Sequence, residues 1–119
     1  MDSTIKQKIE EHLAEYIRLR EKKGSKYKMA KMFGGGAFYL IPKESTYLVE
    51  DESPTNGIYK IAVAIRMVDR DNQRESIWFT YWFFDSRNDG WQFGGQNSLL
   101  LPVSQMRVFL KIVGDKWFR

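Results

Sequence analysis

The stretch from residue 78 to 84 reads WFTYWFF, with aromatic side chains at six of its seven positions. A strand with one face in a core and the other in water alternates apolar and polar residues, because successive side chains point to opposite faces. This stretch carries rings on both faces. One set faces a core. The other must meet a second layer, another subunit or a ligand, and that requirement limits both the fold and the function.

The neighbouring segments supply the rest of a sheet. IYKIAVAIRMV, 58 to 68, is the clearest strand: Tyr59, Ile61, Val63, Ile65 and Met67 share one face, and Lys60, Ala62, Ala64 and Arg66 share the other. STYLVE, 45 to 50, reads as a short strand, and KYKMAKMFGGGAFYLIP as extended structure on either side of Gly34, Gly35 and Gly36. Three glycines weaken a strand and mark a bend, a bulge or a close approach of a backbone or phosphate. Without a following Gly-Lys-Ser/Thr they do not make a phosphate loop. Turns fall at DESPTNG, DRDNQRE and SRNDG. Trp91 and Phe93 open a last strand, resumed by Ser98 to Leu101 after Gly94 and Gly95.

Helices close both ends. Ile5, Ile9, Leu13, Tyr16 and Ile17 recur at helical spacing over residues 5 to 23, with Thr4 and Gln7 as a capping box and Gly24 as the stop. Pro102 suits a first helical turn, followed by the stripe Val103, Met106, Phe109, Leu110 and Val113, with Gly114 as the end. The pattern predicts an α+β fold: an N-terminal helix, an antiparallel meander of four or five strands, and a C-terminal helix packed on the sheet. At 119 residues, with no internal repeat and no long linker, residues 1–119 are expected to form a single domain.

Composition excludes several chemistries. There is no cysteine and only one histidine, His12, so neither a thiolate nucleophile nor a His pair for a metal is available. Asp69, Asp71 and Glu75 sit beside Arg70 and Arg74 and read as a charged hairpin turn. Glu50, Asp51 and Glu52 match no calcium loop. A non-enzyme without cofactor or metal is expected. No 18-residue apolar stretch and no signal peptide are found, so a soluble, cytoplasmic protein with no membrane association is expected.

The net charge of +4 is modest, but the charge is polarised. Seven basic residues lie between Arg18 and Lys31 against the single acid Glu21, whereas Glu44 to Glu52 holds four acids and no base. A basic cluster steers polyanions toward a surface; it also suits the end of a solvated helix.

Hairpin register decides which rings face inward. If Asp71 and Asn72 form a two-residue turn, Ile65 faces Trp78 and Val63 faces Thr80. Trp78, Thr80, Trp82 and Phe84 then share the core face, and Phe79, Tyr81 and Phe83 lie beside Ala62, Ala64 and Lys60. A loop longer by one residue exchanges the two sets. Large rings beside alanines, with Lys60 and Arg66 at the ends, make shallow slots suited to stacked bases and backbone phosphates. A helix or second subunit covering that face is the competing reading, since rings over alanine also pack well in cores.

The segment WQFGGQNSLLLPVSQMRVFLKIVG, from Trp91, has a strand, a polar break, a Leu-rich end and a helix with an apolar face. This order resembles the end of the strand–strand–strand–strand–helix unit of Whirly-type, Pur-type and transcriptional-coactivator-type single-stranded DNA-binding proteins. The resemblance is confined to this C-terminal part. It implies a curved sheet with aromatic and basic residues on an open face, and a dimerising helix over Pro102 to Val113.

The leading expectation is a small, non-catalytic, dimeric protein that binds single-stranded nucleic acid. Phe79, Tyr81 and Phe83 would stack bases, and Lys26, Lys28, Lys31, Lys60 and Arg66 would contact phosphates. The alternative is a protein-binding inhibitor or adaptor, such as a phage counter-defence or immunity protein, meeting its partner through the acidic stretch 44–52 or exposed rings. A third reading is a cystatin-like or nuclear-transport-factor-like scaffold with a ligand cavity enclosed by Trp78, Trp82 and Trp91.

Overall fold

The computed structural model describes residues 1–22, 24–28, 31–94 and 99–118. Helix α1 runs Ser3–Arg20, β1 Ser25–Lys28, β2 Ala37–Val49, β3 Ile58–Asp69, β4 Glu75–Asp85, β5 Gly90–Phe93 and α2 Val103–Trp117, with a 3-10 turn at Lys31–Phe33. The five strands form one sheet in the order β1-β2-β3-β4-β5, each beside its neighbour in sequence. This is the expected α+β fold, an antiparallel meander between two helices. No helix is long and apolar enough to cross a membrane.

Several local details differ from the sequence pattern. Asp2, one residue outside α1, starts the helix: its Oδ1 accepts the Thr4 N–H at 2.7 Å and its carbonyl accepts the Lys6 N–H at 3.1 Å. Thr4 and Gln7 therefore make no capping box, and Gln7 bonds forward to Glu11. At the other end the Gly24 N–H donates to the Arg20 carbonyl, as the stop signal requires. Lys23 lies outside the described residues.

Strand β2 is a single 13-residue strand through Pro42, not a short strand at 45–50. Proline removes a ladder donor, so it is tolerated where a neighbour is missing. The β1–β2 pairing ends at Ser25 opposite Leu40, so Pro42 sits just past the reach of β1. The glycine run bends the chain into β2: Gly34, Gly35 and Gly36 all take positive φ, at 87°, 68° and 91°. Side chains would meet nothing within 4 Å at Gly34 or Gly35, so backbone conformation, not close approach, selects glycine there. Strand β5 stops at Phe93, and residues 99–101 continue without strand structure; Gly95 and Ser98 are outside the described residues. Helix α2 passes through Gly114 to Trp117.

Tertiary contacts group the chain into two units, residues 1–6, 46–64 and 79–119, and residues 7–45 and 65–78. In the first unit, both faces of β3 are buried, from Ile61 through Ala64. Tyr59 stacks on Phe84, Phe84 on Trp91, and Trp82 packs on Phe93, which fills one face of the β3–β4–β5 sheet. On the opposite face Phe79 meets Phe109 of α2 edge-on, with ring centroids 5.9 Å apart. Phe109 and Val113 are the buried residues of α2. In the second unit, Ile9 and Leu13 of α1 are buried, as are Ile65, Met67 and Val68 of β3. The doubly aromatic strand thus carries a layer of packed rings on one side, and on the other side Phe79 meets α2.

Candidate functional site

The β3–β4 hairpin closes with the Asp69 N–H donating to the Arg74 carbonyl at 2.9 Å, around a four-residue loop. The face assignment is that expected for the two-residue turn, because the residue sums of the pairing are equal. Phe79, Tyr81 and Phe83 share the side of Lys60, whose Nζ lies 5.3 Å from the Tyr81 ring centroid. Asp69 Oδ1 accepts the N–H groups of Asp71 and Asn72, so this acid shapes the turn.

The expected open slots are not open. Ala62 and Ala64 are fully buried, and Tyr81 is only 8% exposed. Phe109 of α2 packs edge-on against Phe79, where a stacked base would sit. Phe79 retains 40% exposure, and Phe83 is half-buried with its ring edge-on to Tyr81. Gly94 secures Tyr81, because a Cβ at that position would come within 2.0 Å of the Tyr81 ring. Any side chain there would have to displace the ring.

The two cations expected at the ends of the slots are already engaged. Lys60 Nζ donates to the Leu100 carbonyl at 2.8 Å and lies 3.3 Å from the Glu50 carboxylate. Arg66 bridges two acids, Nε to Glu44 at 2.9 Å and Nη1 to Glu75 at 2.6 Å. A phosphate at Arg66 would have to displace two carboxylates, so the local charge is net negative and opposes it. Partly exposed pairs of this kind contribute at most about 1 kcal/mol each to stability. Their main effect is on which ligands the face accepts. The acidic stretch 44–52 is the partner of the sheet cations, a pairing across 22 residues for Arg66 that sequence spacing does not reveal.

The second unit keeps exposed cations beside rings. Lys26 on β1 pairs directly with Tyr39 on β2 and is exposed. The Arg70 guanidinium stacks over the Tyr39 ring at 3.9 Å, and its backbone N–H donates to the Tyr39 carbonyl at 2.9 Å. Arg70 also has a longer contact, 3.4 Å, with the neighbouring Asp71. Lys31 in the 3-10 turn and Lys22 after α1 are exposed. Lys28 belongs to β1, but its side chain lies outside the described residues. Tyr27 stacks on Phe38 across the same strand pair, with centroids 5.4 Å apart. On α1 the Arg20 guanidinium covers the Tyr16 ring at 4.0 Å. Burial raises the Tyr16 and Tyr27 phenols above their ordinary value.

Of the residues on this surface, Lys26 and Lys31 were expected from the sequence as candidate site residues, and Tyr39 and Arg70 were not. Their only sequence signal is an aromatic and a basic residue 31 positions apart, and strand pairing alone brings them together. Of the expected ligand cavity, Trp82 and Trp91 are packed on Phe93 and Phe84. Among the described residues no group of three or more His, Cys, Asp or Glu side chains could hold a metal ion. Desolvation lowers the pKa of His12 on α1. No protein-family model, curated protein or solved structure matches this chain.

Proposed function

We propose that this chain is a non-catalytic, cytoplasmic protein that binds single-stranded nucleic acid through the basic, ring-bearing surface of its second unit. The observation that carries the reading is the Lys26–Tyr39–Arg70 set: an exposed lysine directly opposite a tyrosine whose ring is covered by a guanidinium. Such a surface offers what a flexible strand needs, with cations for the backbone and flat groups for bases. Exposed Lys22 and Lys31 add positive charge in the same unit. Relative to the sequence expectation, this reading keeps Lys26 and Lys31, adds Tyr39 and Arg70, and leaves out Lys60 and Arg66, which are ion-paired, and Tyr81, which is buried. The test is anisotropy of a labelled single-stranded oligonucleotide over a salt series. Binding should weaken as salt rises, and Lys26→Ala/Lys31→Ala/Arg70→Ala should flatten that dependence by about 2 in the log–log slope, at ~0.7 per lost phosphate contact.

A second reading, a protein partner, is favoured by α2. Its outward side carries Val103 at 81% and Leu110 at 51% exposure, and Phe118 just beyond the helix is 70% exposed. Apolar residues grouped in this way mark interaction surfaces. A second copy of the chain would make the protein a homodimer. Leu110→Glu should then shift the mass measured by light scattering from dimer to monomer; a monomer in both proteins rules out self-association through α2.

A further inference from the structure

The loop joining β4 to β5, in the first unit, is fixed by its own side chains. Ser86 donates from both its N–H and its Oγ to the Gly57 carbonyl, at 2.9 and 2.8 Å. Arg87 lays its guanidinium along Asp85, Nε to Oδ1 at 2.9 Å and Nη2 to Oδ2 at 2.8 Å. Those bonds hold the Asp85 carboxyl below its usual pKa and satisfy both oxygens. Asn88 Oδ1 accepts the Gly90 N–H at 2.9 Å, which leaves Nδ2 as a donor. A side chain at Gly90 would bring its Cβ to 2.6 Å from Asn88 Oδ1, so glycine keeps that amide in place.

Beside this loop is a groove of about 230 Å³, with Ile58, Phe83, Asn88 and Gln92 among its lining residues. Phe83 and Gln92 are direct cross-strand partners, so a ring and an exposed carboxamide stand side by side on one face. The one carboxylate of the lining, Asp85, is already compensated by Arg87. A cationic ligand gains little from a neutralised acid, and an anionic one finds no unpaired cation there among the described residues. The volume lies below the roughly 300–1,000 Å³ typical of sites for larger ligands, which points to one ring system. Carboxamides supply the adjacent donor and acceptor that match the N6/N7 edge of adenine.

We infer that this groove binds a single nucleobase, stacked on Phe83 with its edge read by Gln92 and Asn88. The choice of a base over other neutral planar rings rests on the proposed nucleic-acid function; the groove itself does not. The base comes either from a strand or from a free nucleoside.

The test is a titration of the ¹⁵N-labelled protein with adenosine, following the side-chain amide signals of Asn88 and Gln92 by NMR. Saturable shifts of both signals are expected, with affinity about tenfold weaker in Phe83→Leu and in Gln92→Ala, while ribose alone causes none. Gln92 is exposed, so its variant keeps the fold even where Phe83→Leu does not. A poly-dA strand that moves the same signals, when an abasic strand of equal length does not, identifies the source as a strand; a response to adenosine alone identifies a free nucleoside. Absence of saturable shifts with adenosine and with the strand overturns the inference, as do shifts of equal affinity in Gln92→Ala. Failure of the nucleic-acid function has a different signature, the loss of salt-dependent strand binding, and the adenosine titration does not depend on it.

Discussion

At the scale of single residues, Gly94 and Tyr81 form a coupled pair. The Tyr81 ring occupies the space of the Gly94 side chain, and overpacking of this kind typically costs about 1–3 kcal/mol. Gly94→Ala should lower the unfolding free energy measured in urea by that amount, whereas in a Tyr81→Ala background the same change should cost much less. Additive costs in this double-mutant cycle would mean the two positions do not touch. His12 gives a pH dependence. Burial lowers its folded pKa below the unfolded value of 6.5. Its contribution to stability is therefore complete above 6.5 and lost as pH falls through the lower folded pKa. The urea midpoint should drop between pH 7 and pH 5, and His12→Leu should reduce that drop. An identical pH profile in the variant would assign the dependence to other groups.

At the scale of elements, β3 and β4 were legible because periodicity and turn chemistry agree, whereas β2 was read as a short strand at 45–50 and runs Ala37–Val49 through Pro42. The alternation in 58–68 sorts that strand into two faces, but the rings of 78–84 could lie either way until the hairpin register was known, and the stacked Tyr59–Phe84 pair reflects the register adopted. What covers each face was not legible. Ala62 and Ala64 between Lys60 and Arg66 look like an open surface in sequence, yet both are fully buried, and the contact of this face with α2, Phe79 to Phe109, spans 30 positions. Helix ends were legible where a local signal dominates, as at Gly24, and misleading at Gly114. Glycine lowers helix propensity by roughly 1 kcal/mol relative to alanine, yet α2 continues through it. A Cβ at Gly114 would meet only a Phe118 ring carbon, at 3.9 Å, so nothing nearby in the chain demands glycine. Gly114→Ala should therefore stabilise the chain by about 0.5–1 kcal/mol in urea unfolding. A destabilised variant would show that the position is approached closely by another surface.

At the scale of the whole molecule, charge decides between the candidate surfaces. Counting basic residues along the chain gives Lys60 and Arg66 the same standing as Lys26 and Lys31. The structure separates them: the first pair is held by Glu50, Glu44 and Glu75, and the second pair is exposed. The basic cluster was thus legible, and which of its members are ion-paired was not, because ion pairing depends on strand neighbours. The most direct measurement compares strand binding by the wild type, Lys60→Gln and Lys26→Ala/Lys31→Ala/Arg70→Ala over one salt series. Lys60→Gln should leave the salt slope unchanged, and the triple variant should flatten it by about 2. A slope reduced by Lys60→Gln and untouched by the triple variant would contradict the account and return the site to the aromatic face of β4.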